Sequence, residues 1–180
     1  MTDQPAPTTA PLLIERTNSV LKLTLNRPDY HHALSADLIA ALHQAFTEIE
    51  HDAEVDVVIV RAEGAVFCGG HDFSEYVARG SDAGAQRIAC LASNDLMLVI
   101  QACSKPTIAC IQGVVAGAGL ELVASCDLAL ASTTASFCSP GMNLGLWDHT
   151  TQVALSRQIA RRFAIEMLLT GDRIDAPTAL

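Results

Sequence analysis

The chain has 180 residues, half of them apolar and few aromatic, which suffices for one domain with an aliphatic core. A net charge of −9 excludes a general nucleic-acid binder, which presents a basic face. No apolar stretch is long enough to span a bilayer, and Met1 to Pro7 resemble neither a secretory signal nor an Arg-rich transit segment, so the expected location is the cytoplasm, away from membranes.

Residues 1–11, rich in Pro, Thr and Ala, read as a disordered lead, with the folded domain over residues 12–180. Residues 14–25 carry two short strands, and Asn26-Arg27-Pro28-Asp29 makes a turn. Ser35 caps a helix with Asp37 in its first turn, and Leu38, Leu42, Phe46 and Ile49 form its buried stripe. Residues 55–60 are almost wholly apolar, which predicts a parallel-sheet strand covered on both faces.

A first glycine turn follows, Phe67-Cys68-Gly69-Gly70-His71-Asp72-Phe73, in which Asp72 caps what comes next. After a polar stretch, residues 79–84, the spacing predicts a long helix with Ile88, Leu91, Asp95, Val99 and Cys103 on related faces, ended by Lys105-Pro106. Residues 107–111 form a buried strand that leads into the second glycine turn, residues 113–119, and then a short apolar helix bearing Glu121. A strand over 127–131 and a Ser/Pro/Gly-rich loop over 136–145 precede a last helix. Leu155, Ile159, Phe163 and Met167 recur along it every four residues, Arg157, Arg161 and Arg162 line its other faces, and Gly171 stops it. A further helix starts near Pro177. Alternating strand and helix without a fixed repeat defines an α/β domain.

Two strand-to-helix turns built of small residues let backbone N–H groups approach a ligand closely, and two such groups can share one oxygen. The pair suggests a site that stabilises an oxyanion, with Glu121 nearby to move protons. Competing readings fare worse. Gly117-Ala118-Gly119 lacks the third glycine and distal acid of a dinucleotide fingerprint. His31-His32 have no ligating partner at metal spacing, and no metal is expected. The six cysteines, without CxxC spacing, read as reduced small hydrophobes rather than nucleophiles.

Taken together, these residues resemble the crotonase superfamily, the enoyl-CoA hydratase/isomerase family. The signatures are Asn26-Arg27-Pro28 with Ala33-Leu34, residues 63–73, Lys105-Pro106-Thr107 with Gly113, Gly117 to Leu122 with Cys126-Asp127, and Leu168 to Ile174 with Ala176. They stand in the family's order over nearly all of residues 14–180. Ala62-Glu63-Gly64 and the run from Pro140 to Leu146 look most like the enoyl-CoA hydratase domain-containing branch.

The resemblance implies a stack of ββα turns, cut before the C-terminal helices that cover the acyl pocket and build trimers or hexamers. It implies an acyl-CoA thioester as substrate, with coenzyme A part of that substrate and no covalent cofactor. By position, the amides of His71 and Ala118 hold the thioester oxygen, and Glu121 is an acid/base carboxylate. His32, Ala33, Gly70, Asp72, Phe73, Gly117 and Gly119 fall on substrate-contacting positions. The family's second carboxylate position is Gly141 here, which disfavours hydration, and Asp148 falls near where isomerase and dehalogenase members place an acid. The expected activity is hydratase/isomerase chemistry, with Δ3-Δ2 isomerisation or non-catalytic acyl-CoA binding as alternatives.

Overall fold

The computed structural model describes residues 10–80, 82–147 and 149–180. Most of the expected lead therefore lies outside the described residues. Ala10 and Pro11 do not behave as a free lead, because their carbonyls accept from the Asn26 side chain and backbone N–H.

Strands β1 (Leu12–Thr17) and β2 (Val20–Leu25) form an antiparallel hairpin. Then β2, β3 (Val57–Ala62), β5 (Thr107–Ile111) and β7 (Leu128–Ala131) run parallel, giving a five-stranded sheet of order β1-β2-β3-β5-β7. A second sheet has the order β4-β6-β8-β9, from β4 (Val66–Cys68), β6 (Val114–Ala116), β8 (Ser136–Cys138) and β9 (Ile174–Asp175). From β3 to β8 consecutive strands alternate between the sheets, and each pair is followed by helical structure. The chain thus winds as stacked ββα turns, as the resemblance implied.

Helix α1 (Ala36–Ile49) has the expected cap, with the Ser35 hydroxyl accepting from Leu38 N–H, and its predicted stripe is buried. Next come α2 (Phe73–Ala78) and α3 (Ala83–Gln101), the latter capped by Asp82. The face α3 buries is Ser93, Leu96, Met97 and Ile100, whereas Ile88 and Leu91 are exposed. Helix α4 (Ala118–Ser125) is the short apolar helix after the second glycine turn.

The expected last helix is two. Helices α5 (His149–Gln158) and α6 (Arg161–Thr170) are separated at Ala160, whose ψ of 134° takes the backbone out of the helix. Leu155 and Met167 are buried as the spacing predicted, whereas Phe163 is exposed although it lines one apolar groove with Leu155, Ile159 and Met167. Gly171, with φ of 69°, closes α6 by donating to the Met167 carbonyl, as expected. Helix α7 (Ala176–Ala179) follows an Asp175 cap.

Strand β3 also departs from expectation. Val58, Val60 and Ala62 are buried, but Val57, Ile59 and Arg61 on the other face are half-buried. That face borders an open concavity of about 620 Å³ shared with Lys22, Cys110 and Leu130. No helix among the described residues is long and apolar enough to cross a membrane.

Candidate active site

The site starts from two neighbouring strands. β4 and β6 are parallel neighbours in the small sheet, and each ends in a glycine turn. Parallel neighbours lie about 4.8 Å apart, so amides just beyond their ends can both reach one oxygen at about 2.9 Å. His71 follows β4 and Ala118 follows β6.

The close approach depends on missing side chains. A Cβ on Gly70 (φ 94°) would sit 2.9 Å from the Ala116 carbonyl oxygen and 3.3 Å from Ala118 N. One on Gly119 would sit 2.7 Å from the Cys68 carbonyl oxygen. The two turns therefore touch through backbone.

Their amides are oriented by local hydrogen bonds. Leu34 N–H donates to the Gly70 carbonyl and Asp72 N–H donates to the Leu34 carbonyl, so the His71 N–H and C=O face away from Leu34. Ala118 opens α4, and its N–H has no carbonyl one turn back within the helix. Preceding it, Gly117 holds φ at 51° while its N–H donates to the Cys138 carbonyl. His71, Ala118, Gly70, Gly117, Phe73 and Gly141 line one cavity of about 30 Å³, room for roughly one water-sized group.

Glu121 is 6% exposed on the first turn of α4, but it does not line that cavity. It lines a different cleft, of about 580 Å³, walled by α3, α4 and α5, together with Met97, Gln101 and His149. Gly141, at the second-carboxylate position, is buried against the amide cavity. Asp148, the other acid singled out from the sequence, lies outside the described residues.

Two expected substrate contacts are committed to holding the fold. His32 is 1% exposed; its Nδ1 accepts from Arg27 N–H and its Nε2 donates to the Glu63 carbonyl at 2.7 Å. Its own N–H and C=O are engaged by the Arg27 carbonyl and the Cys68 thiol. With every polar group engaged, His32 pins the loop at residues 27–34. Burial lowers its pKa, outweighing the opposing bond to Glu63 and its charge, which keeps the ring neutral.

Asp72 is similarly spent. It caps α2 through Ser74 N–H and meets Arg27 Nη2 at 2.9 Å. Burial pushes its pKa up, but the bonds from Ser74 and Arg27 outweigh that and hold it below the usual range. Ala33 keeps a structural contact too, its carbonyl accepting from Arg27 Nη1.

The sequence reading assigned no role to Arg27 or Asp127. Arg27 ties Ala33 to Asp72, and so the first loop to the first glycine turn. Asp127 accepts from both the N–H and hydroxyl of Thr107 while Thr107 Oγ1 accepts from Asp127 N–H, locking β5 to the entry of β7. Both stood inside quoted motifs, which was the available signal. Burial raises the thiols of Cys68 and Cys126 to about 12, which disfavours a nucleophilic thiolate at either.

With this geometry in place, comparison with known proteins defines the class. Residues 15–180 match the family described as Enoyl-CoA hydratase/isomerase, and the chain belongs to that family. Enoyl-CoA hydratase domain-containing protein 3, mitochondrial, of Danio rerio is 38% identical over 169 residues, covering 93% of this chain and 58% of that protein. The protein of the same name from Homo sapiens is 39% identical over 191 residues, covering 98% and 57%. A crystal structure of enoyl-CoA hydratase from Mycobacterium smegmatis superposes with a TM-score of 0.91 at 42% identity, covering 94% of this chain and 66% of that one. The resemblance to the domain-containing branch therefore holds, and the chain spans somewhat over half the length of these curated relatives. The cytoplasmic expectation is corrected, because these relatives are named mitochondrial.

Proposed function

We propose that this chain processes acyl-CoA thioesters by stabilising the thioester enolate between the amides of His71 and Ala118, with Glu121 exchanging the proton. The supporting observation is the backbone contact between the two glycine turns, with His71 and Ala118 both lining one small cavity at the ends of adjacent strands. Negative charge developing on the thioester oxygen would be met by preorganised donors, each worth about 2.7–4 kcal/mol when removed from comparable sites. The N-terminal end of α4 adds favourable potential.

Gly141 favours one reaction over the other. Addition of water across an enoyl double bond uses one group to deprotonate water and another to protonate Cα, and Gly141 supplies no second carboxylate. A single carboxylate moves a proton from Cα to Cγ, so Δ3-to-Δ2 isomerisation is the favoured activity.

Turnover of a 3-enoyl-CoA and of crotonyl-CoA, with Glu121→Gln as control, tests this. Isomerisation that is lost in Glu121→Gln supports the reading; efficient hydration of crotonyl-CoA refutes the one-carboxylate part. Binding of both without turnover would establish the second reading, a non-catalytic acyl-CoA-binding module, which Gly141 also favours. Self-association is part of the proposal, because Leu128, Leu130, Phe163 and Leu169 leave apolar surface open. Sedimentation tests it.

A further inference from the structure

A carboxylate that is 6% exposed needs a route by which its proton reaches solvent, and the cleft beside Glu121 provides one. His149, the first residue of α5, is exposed and lines the same cleft as Glu121. We infer that His149 passes protons between solvent and the carboxylate of Glu121, making it the relay residue of this site. The inference rests on the reading that Glu121 handles the substrate proton.

The other ionisable groups lining the cleft are unsuited to the task. The Asp127 carboxylate is engaged by both donors of Thr107, Arg157 stays charged, and burial raises the Cys126 thiol to about 12. From α3 the lining residues are Asn94, Met97, Leu98 and Gln101, none of which ionises near neutrality. An imidazole is the side chain suited to proton transfer at neutral pH.

The step moves protons only. The substrate Cα–H bond breaks and its proton goes to the Glu121 carboxylate, leaving the electron pair in the enolate. Glu121 passes that proton to the His149 imidazole, which releases its other N–H proton to water. In reverse, a solvent proton reaches Glu121 and is delivered to Cγ. Without the relay, the same proton stays on Glu121 and returns to the substrate.

The test is isomerisation of a 3-enoyl-CoA in D2O, with deuterium at Cγ of the product read by mass spectrometry. The intact chain is expected to give labelled product, and His149→Gln to lower labelling roughly tenfold or more with a smaller loss in kcat. Equal labelling in both, or no label with the intact chain, overturns the relay and leaves the Glu121 reading standing. Absence of turnover by the intact chain counts against the functional reading instead. The relay is then decided by NMR of the His149 ring, whose resonances shift in Glu121→Gln if the two groups meet in the cleft. Unmoved ring resonances overturn it.

Discussion

Replacing Gly119 by alanine tests whether the two glycine turns must touch for the site to work. The new Cβ would stand 2.7 Å from the Cys68 carbonyl oxygen and 2.9 Å from the Cys68 Cβ, against 3.4 Å for ordinary contact. Backbone and a buried side chain cannot swing aside, so α4 must retreat from β4 by about 0.7 Å at that point. Overpacking of this kind costs about 1–3 kcal/mol, which lowers the melting temperature by roughly 2–12 °C in a chain of this size. Because Ala118 directly precedes Gly119, the same retreat carries its amide away from the thioester oxygen. Misplacement approaching 1 Å lowers turnover by up to about 10²-fold.

Thermal melts by circular dichroism and turnover of a 3-enoyl-CoA measure the two effects separately. Gly64→Ala is the control: unlike Gly119 it has a positive φ, 72°, to accommodate, but its Cβ meets nothing within 4 Å. It should lose roughly 1 kcal/mol of stability and keep its kcat. A Gly119→Ala protein that melts and turns over like the parent would refute the reasoning.

Three further outcomes follow from the same geometry. Glu121→Gln should lower kcat by about 10²–10⁴-fold with little change in acyl-CoA affinity by calorimetry. His32 has a folded pKa below its ordinary value of 6.5, so its stabilising contribution is present above that pH and lost as pH falls towards the folded value; Asp72 adds a second loss below 3.8. Denaturant melts across pH should show both declines, with His32→Gln flattening only the first. Asp127→Ala removes an acceptor of two bonds from Thr107 and should cost about 1–2 kcal/mol in the same melts without changing KM.

What could be read from the sequence was whatever has a period or a punctuating residue. α1 declared itself by Ser35, Asp37 and a stripe at helical spacing, and the two glycine turns marked the ends of strands. The second sheet had no such signal, since β4, β6 and β8 are three residues each and too short to show alternation. The break between α5 and α6 falls at Ile159-Ala160, with neither glycine nor proline to announce it. On α3, apolar residues lie on several faces, and only tertiary packing selected Leu96, Met97 and Ile100. At the site, residue types pointed to the amides, but not to His32 as a buried pin or to the separate cleft that receives Glu121.

Because the proposed charge-bearing device is made of main chain, the identity of the side chain at positions 71 and 118 does not itself supply either donor. Ordinary alanine scanning would pass over His71 as tolerant and has nothing to change at Ala118. Only proline, which has no N–H to give, would delete a donor outright. The imidazole at position 71 and the methyl at 118 are thus open to tune shape and polarity around the substrate, leaving the path of the backbone to do the electrostatics.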